Sequence, residues 1–156
     1  MDALTLDYGQ IDPRDPDIAG LIARHAAHGD AHYPADSNHH LDGAALAEAG
    51  VVLFAARLEG EVVAMGGYAV IAPGHGEVKS MHVAQAARGR GAGRRILGLI
   101  LDHAAQAGLT RLSLETGSRE ASAAARRLYE TAGFEYCAPF GMYSDDPESV
   151  YMTRAL

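Results

Sequence analysis

Residues 88–94 read Arg-Gly-Arg-Gly-Ala-Gly-Arg and stand between a predicted strand at 77–83 and the most regular predicted helix, at 92–107. The first turn of a helix carries backbone N–H groups without intrahelical partners, and the helix dipole adds positive charge there. Glycines allow unusual dihedral angles and let a phosphate approach the backbone closely. The stretch therefore predicts an anion-binding loop at a helix N-terminus.

Three kinds of phosphate ligand compete for such a loop. A mononucleotide P-loop ends in Gly-Lys-Ser/Thr, whereas Gly93 is followed by Arg94 and Arg95. A dinucleotide fingerprint needs a third glycine three residues after Gly93, where Ile96 stands, and it opens a βαβ unit, whereas this loop lies mid-chain. The remaining pattern is Arg-x-x-Gly-x-Gly over residues 88–93, and a purely structural turn between strand and helix stays open as its alternative.

The composition is that of an ordinary globular chain. The 156 residues are 48% hydrophobic and 21% charged, which fits one domain at 1–156. A formal net charge of −7 argues against a general nucleic-acid or membrane-surface binder, because such proteins need an excess of Lys and Arg. The single cysteine excludes an internal disulfide, and we find neither a signal peptide nor an apolar run of about 20 residues. We therefore expect a cytoplasmic protein.

Hydrophobic periodicity and turn signals predict a mixed α/β domain. Strands are expected at 3–8, 51–57, 62–70, 77–83, 109–116, 134–137 and 149–153. Helices are expected from Pro16 to about residue 28, capped by Asp15, and at 43–48, 92–107 and 120–132. Residues 29–41 read as an irregular connection, and Glu59-Gly60 reads as a hairpin turn.

Two further segments extend the pattern of the loop. Glu77 lies on the preceding strand, eleven residues before Arg88 (88 − 77), and residues 122–134 read Ser-Ala-Ala-Ala-Arg-Arg-Leu-Tyr-Glu-Thr-Ala-Gly-Phe. With these segments the chain resembles the GNAT superfamily of acetyl-CoA-dependent N-acetyltransferases. In that family a (Gln/Arg)-x-x-Gly-x-(Gly/Ala) loop holds the coenzyme A pyrophosphate, and a later segment reads Asn-x-x-Ala-x-x-Leu-Tyr-x-x-x-Gly-Phe. Ser122 replaces the asparagine.

The resemblance implies both a fold and an architecture of the site. The fold is a twisted, mostly antiparallel sheet with a parallel, splayed central strand pair, flanked by helices. Helices within about 13–50 would form the acceptor side, and about 51–156 would form the acetyl-CoA-binding core. The cofactor, used as a co-substrate, would be acetyl-CoA.

The implied reaction is direct attack of a primary amine on the acetyl thioester. Glu77 would act as the base and Tyr129 as the acid that protonates the leaving thiolate. The residues implied to hold the coenzyme are Met81, His82, Val83, Arg88, Gly89, Arg90, Gly91, Ala92, Gly93, Arg94, Ser122 and Tyr129. Alternatively, Glu77 is a surface charge at a strand end, paired with Lys79, and Tyr129 is a core aromatic.

Tyr33, Asp36 and His40 are candidate residues of the acceptor pocket, because they lie in the irregular connection before the sheet. The histidines at 25, 28 and 32 share a helical face, but a polar face explains them better than a zinc site, and no metal is predicted. The acidic residues around Pro147 favour a solvated turn over a surface that attracts an amine.

The sequence leaves the acceptor open between a small-molecule amine and a protein amine. A homodimer is compatible with it, although no feature specifies one. The alternative function is a non-catalytic acyl-CoA-binding or sensor module, and a nucleotide-binding domain of another type is a third interpretation.

Overall fold

The computed structural model describes residues 5–34 and 42–156. Their strands are Asp7–Ile11 (β1), Val52–Leu58 (β2), Glu61–Ala72 (β3), His75–Val83 (β4), Arg111–Gly117 (β5), Glu135–Cys137 (β6) and Ser149–Ala155 (β7). They form one sheet in the order β1-β2-β3-β4-β5-β7-β6. Every neighbouring pair is antiparallel except β4 and β5, which run parallel. The predicted mostly antiparallel sheet with a central parallel pair is confirmed.

The helices of the described ranges are Pro16–His32 (α1), Gly43–Glu48 (α2), Ala92–Gln106 (α3) and Ala123–Thr131 (α4). The predicted caps of the first two are confirmed. The Asp15 side chain accepts a hydrogen bond from the backbone of Asp17 at the start of α1, and Asp42 accepts one from Ala45 at the start of α2. These bonds satisfy donors that the first turn of a helix leaves unpaired.

The helices cover both faces of the sheet because the strands alternate their buried side chains. On β2, Leu53 packs with α1 and α2, whereas the next residue, Phe54, packs with α3 on the opposite face. Ile96 and Ile100 of α3 are fully buried on that face. Each such side chain stabilises the fold by about 1.5–3 kcal/mol relative to exposure.

The parallel pair is joined over a short length and then separates. Residues 75–77 of β4 pair with residues 111–113 of β5, and no pairing continues toward the ends of these two strands. A β-bulge follows on β4, since Met65 pairs with His82 and Gly67 pairs with Lys79. Ser80 in this bulge has a φ of +60°, which a non-glycine residue rarely adopts. The sheet therefore opens between β4 and β5 just past Glu77.

The predicted bounds of three elements are wrong by three residues or more. The first strand is predicted at 3–8, but it runs through Gly9 as Asp7–Ile11 because it pairs with β2. Helix α1 continues four residues beyond position 28, into the stretch predicted to be irregular. The helix predicted at 120–132 begins with a separate 3-10 turn at Glu120–Ser122 before α4.

The hairpin between β2 and β3 is confirmed. Glu59 and Gly60 both have positive φ, at +52° and +84°. Such turns match the right-handed twist of the two strands that they join. Within the described ranges, none of the helices has the length and apolar character to cross a membrane.

Candidate active site

Glu77 is a buried carboxylate at the point where β4 and β5 separate. It pairs across the sheet with Ser113 of β5, and its side chain is only 8% exposed. Lys79 Nζ lies 3.2 Å from Oε1, and the phenol of Tyr143 donates a hydrogen bond to Oε2 at 2.6 Å. A buried carboxylate is tolerated when it is paired in this way. Glu77 is thus paired with Lys79, as its alternative interpretation predicts, but in the interior and not on the surface.

Tyr143, which the sequence analysis missed, comes from the segment between β6 and β7. Its ring packs against Phe140 and Tyr151, with centroid distances of 5.2 and 5.6 Å. Burial, and then the hydrogen bond to Glu77, raise the pKa of the Tyr143 phenol. The phenol therefore stays protonated and donates to the carboxylate at neutral pH. No local pattern could have placed it there, because Tyr143 and Glu77 are 66 positions apart.

The separating strands enclose a cavity of about 150 Å³, here called the strand cleft. It brings together five of the residues predicted from sequence: Tyr33, Glu77, Met81, Ser122 and Tyr129. A second carboxylate, Glu115 of β5, also lines it and accepts a hydrogen bond from the Ser149 hydroxyl at 2.7 Å. The strand cleft therefore holds the predicted base and the predicted acid in one cavity.

Tyr129 belongs both to the core and to the strand cleft. The residue is 5% exposed, and its ring meets Phe134 edge-on, with the centroids 5.9 Å apart. Burial, and then the nearby charge of Glu115, raise the pKa of its phenol. The group therefore keeps its proton at neutral pH, as a proton donor must.

Tyr33 and Ser122 meet at one end of the strand cleft. The Tyr33 hydroxyl lies 2.8 Å from Ser122 Oγ, and it accepts a hydrogen bond from the backbone N–H of Arg119 at 3.0 Å. The C-terminal end of α1 is thereby tied to the segment that follows β5. Of the other residues predicted for the acceptor pocket, Asp36 and His40 lie outside the described residues.

The glycine loop leads into α3 through two glycines in the left-handed region. Gly89 and Gly91 have φ of +79° and +76°, which favour glycine. The first helical hydrogen bond runs from Arg95 N–H to Gly91 O, and within the described chain no side chain caps this helix. The N–H groups of residues 92–94 therefore stand at the positive end of the helix dipole.

The arginines of the loop are exposed to solvent. Arg88, Arg90 and Arg94 are all exposed, so an anion approaching the end of the helix would meet a cluster of positive charges. Arg88 Nε also donates to the carbonyl oxygen of Val83 at 3.3 Å, which ties the loop to the end of β4. The predicted coenzyme-binding segments at 81–83 and 88–94 are thus contiguous in space.

A larger cavity of about 780 Å³, here called the outer pocket, lies on another side of Glu77. Glu77, Lys79 and Tyr143 line both cavities and separate them. The rest of the outer pocket is formed by the end of β3, by Ala49 after α2 and by the segment between β6 and β7. A molecule in the outer pocket and a molecule in the strand cleft would meet at Glu77.

His82, the penultimate residue of β4, contacts two histidines of α1. Its Nδ1 lies 3.1 Å from Nδ1 of His25, and its ring also packs near His28. Burial, followed by the charges of His28, Arg88 and Arg24, lowers the pKa of His82 to about 4. Across residues 5–34 and 42–156, no group of three or more potential ligands is arranged to hold a metal ion.

Comparisons with known proteins identify relatives of this chain. Residues 17–134 match the acetyltransferase (GNAT) family. The chain is similar to an IAA acetyltransferase of Azospirillum brasilense, with 46% identity over 125 residues, or 80% of each protein. It is similar to a structure from Klebsiella pneumoniae assigned as an acyl-CoA N-acyltransferase, with a TM-score of 0.80, 27% identity and coverage of 97% and 98% of the two chains.

A third similarity concerns the fold alone. The structure of yncA from Salmonella typhimurium, assigned as an acetyltransferase and solved with its cofactor acetyl-CoA, has a TM-score of 0.72 at 20% identity. The alignment covers 96% of this chain and 93% of that protein.

Proposed function

The chain belongs to the acetyltransferase (GNAT) family and is an acyltransferase, and we propose that it moves the acetyl group of acetyl-CoA to a primary amine by direct attack. The observation that carries the proposal is the position of Glu77. A buried carboxylate at the border of two cavities can contact a donor in one and an acceptor in the other.

Acetyl-CoA would bind with its pyrophosphate on the glycine loop. The loop offers free N–H groups, the positive end of the α3 dipole and exposed arginines, all of which suit a doubly charged anion. From there the pantetheine arm would follow residues 81–83 into the strand cleft, pairing with backbone groups that β5 leaves unused. Ser122 would contact the coenzyme once its hydroxyl no longer hydrogen-bonds to the Tyr33 hydroxyl.

Glu77 would supply the base. An alkylamine has a pKa near ~10.4, so it arrives mostly protonated and must lose a proton before its nitrogen can attack. Glu77 would take that proton, through a water molecule, before the neutral nitrogen attacks the thioester carbonyl. The second proton, which the nitrogen loses once the C–N bond has formed, would leave to solvent, as would the proton held by Glu77. Tyr143 and Lys79 would orient the carboxylate, since each contacts a different oxygen of it.

Tyr129 would complete the reaction. When the tetrahedral intermediate collapses, the C–S bond breaks and coenzyme A leaves as a thiolate. The Tyr129 phenol would donate its proton to that sulfur, and solvent would return a proton to the phenolate. The proposal has support from the burial of Tyr129 beside the strand cleft and from its raised pKa, which keeps it protonated.

The test is thiol release from acetyl-CoA with a panel of primary amines, in the wild type and in Glu77→Gln. We expect kcat to fall by about 10²- to 10⁴-fold in Glu77→Gln, because an oriented general base is lost, with little change in the calorimetric Kd of acetyl-CoA. Glu115→Gln removes the other carboxylate of the strand cleft, and Glu135→Gln is a matched control on the exposed strand β6.

The outcomes separate the candidate functions. A larger loss in Glu115→Gln than in Glu77→Gln would make Glu115 the base. Tight binding of acetyl-CoA without turnover across the panel would favour the alternative function, a non-catalytic acyl-CoA-binding or sensor module.

A further inference from the structure

We propose that the outer pocket selects, as acetyl acceptor, a primary amine that has an apolar body and no carboxylate. This inference rests on the proposed function and names the class of its acceptor. The volume of about 780 Å³ is in the range of pockets for small organic ligands.

Much of the wall of the outer pocket is apolar, which suits the apolar part of an acceptor. Of the five large hydrophobic side chains that are exposed within the described residues, three line this pocket: Val70, Ile71 and Met142. Met142 is fully exposed, and Ile71 is 38% exposed. Such a concentration of exposed apolar surface beside a buried carboxylate marks a binding surface. The apolar part of an acceptor would cover it.

The charges of the outer pocket favour a cation. Glu77 and Lys79 form an ion pair, and the other charged side chains of the lining, Asp145 and Asp146, are both acidic. Asp146 is held in place because its Oδ1 accepts the backbone N–H of Glu148 at 2.9 Å. The negative charges of Asp145 and Asp146 attract a protonated amine and repel a carboxylate.

A carboxylate on the acceptor could pair with Lys79 in the outer pocket only at an energetic cost. Lys79 is the basic residue among the lining side chains, and it already contacts Glu77. An acceptor carboxylate that captured Lys79 would leave Glu77 buried with one partner fewer, which is unfavourable for a charge removed from water. An α-amino acid is therefore a poor acceptor.

The experiment compares the acceptor 2-phenylethylamine with two relatives, each of which changes one property. L-Phenylalanine adds the carboxylate, and ethylamine removes the ring. We expect 2-phenylethylamine to have a kcat/KM at least roughly tenfold higher than that of either relative. Ethylamine lacks the ring that would fill the apolar pocket, and L-phenylalanine brings a carboxylate for which the described residues of the pocket offer no cation other than Lys79, which is paired with Glu77.

Two variants, each with a matched control, locate the preference. Ile71→Ser should reduce the advantage of 2-phenylethylamine over ethylamine, whereas Leu156→Ser, at an exposed apolar residue elsewhere, should not. Asp145→Asn should reduce the advantage of 2-phenylethylamine over L-phenylalanine, and the reduction should be largest at low salt. Asp102→Asn, at an exposed position of α3, also removes one negative charge but should leave this advantage unchanged.

The result that overturns the inference is acetylation of L-phenylalanine or ethylamine as efficiently as of 2-phenylethylamine. A preference that survives both Ile71→Ser and Asp145→Asn would also overturn it, because the preference would then arise elsewhere. Acetylation without the preference leaves the proposed function standing. No turnover with any amine overturns the proposed function, and this inference with it.

Discussion

The hydroxyl of Tyr129 can be tested separately from its ring. Tyr129→Phe keeps the ring and its edge-on contact with Phe134 but removes the group that would protonate the leaving thiolate. We expect kcat to fall by about 10²-fold or more, because general acid catalysis is lost, while the Kd of acetyl-CoA stays close to its wild-type value. Steady-state thiol release and calorimetry measure these quantities.

The control for this substitution is Tyr136→Phe. Tyr136 is 52% exposed, and its hydroxyl donates to Glu130 on the surface, far from the proposed chemistry. It should retain wild-type kcat. Wild-type turnover in Tyr129→Phe would mean that Tyr129 is a core aromatic that serves packing alone, the alternative interpretation of this residue.

The pairing of Glu77 shows which parts of a site a sequence can reveal. Glu77 and Tyr129 could be predicted because each belongs to a local segment with a recognisable pattern. Tyr143 could not, because it reaches Glu77 through the folding of a distant segment around Phe140 and Tyr151. The same is true of the contact between Tyr33 and Ser122, which are 89 positions apart.

Two glycines of the α3 region provide a matched pair of substitutions to alanine. Gly91 caps the helix at a φ of +76°, whereas Gly98 lies inside it, and an added Cβ meets nothing within 4 Å at either position. We expect Gly91→Ala to lower the free energy of unfolding by about 1 kcal/mol, since a left-handed conformation is strained for alanine. Gly98→Ala should raise it by about 0.5–1 kcal/mol, because glycine is the weaker helix former.

Urea unfolding followed by circular dichroism measures both changes. Equal effects of the same sign would contradict the interpretation, because the two positions differ in backbone conformation and not in available space.

The contact between α1 and β4 makes stability depend on pH through His82. Burial is the main cause that lowers its pKa to about 4, from 6.5 in an unfolded chain, so the unfolded state binds more protons between these values. The contribution of His82 is fully present above pH 6.5 and is lost as the pH falls toward 4. Because the ring is partly exposed, we expect a loss of about 1–2 kcal/mol, less than the full shift implies.

Urea unfolding at about pH 7.5 and about pH 4.5, on either side of the ordinary histidine pKa, measures this loss. His82→Gln should lose less stability on acidification than the wild type, and less than His32→Gln, in which the exposed ring beside His28 is replaced and His82 is kept. Identical losses in all three proteins would assign the acid sensitivity to other groups.

Element boundaries depended on tertiary contacts that the sequence does not display. Gly29 and Asp30 favour the end of a helix, yet α1 continues to His32 and is capped by Tyr33. The carbonyl of His32 accepts a hydrogen bond from Arg119, and Tyr33 contacts Ser122, so packing holds the last turn in place. The middle of each long helix or strand could be predicted, because the spacing of its apolar residues is visible within the segment itself.

The sheet opens between β4 and β5, and a bound coenzyme would contact the strands on both sides of this opening. The two sides share the hydrophobic core against α3, and they are also joined by the pairing of residues 75–77 with residues 111–113 and by the hydrogen bonds Tyr143–Glu77 and Tyr33–Ser122. A ligand at about 100 times its Kd stabilises the folded state that binds it by about 2.7 kcal/mol. For a chain of this length we expect acetyl-CoA to raise Tm by roughly 5–10 °C.

ATP and NAD at the same concentrations are the controls, because they carry a pyrophosphate without the pantetheine arm that would enter the strand cleft. They can contact the glycine loop, but they cannot reach Glu77 and Tyr129 as the arm would, so their effect on Tm should be smaller. Differential scanning fluorimetry makes the comparison. A rise in Tm with ATP or NAD and none with acetyl-CoA would identify the loop as the phosphate site of another nucleotide, since mass action stabilises the fold only with a ligand that the folded state binds.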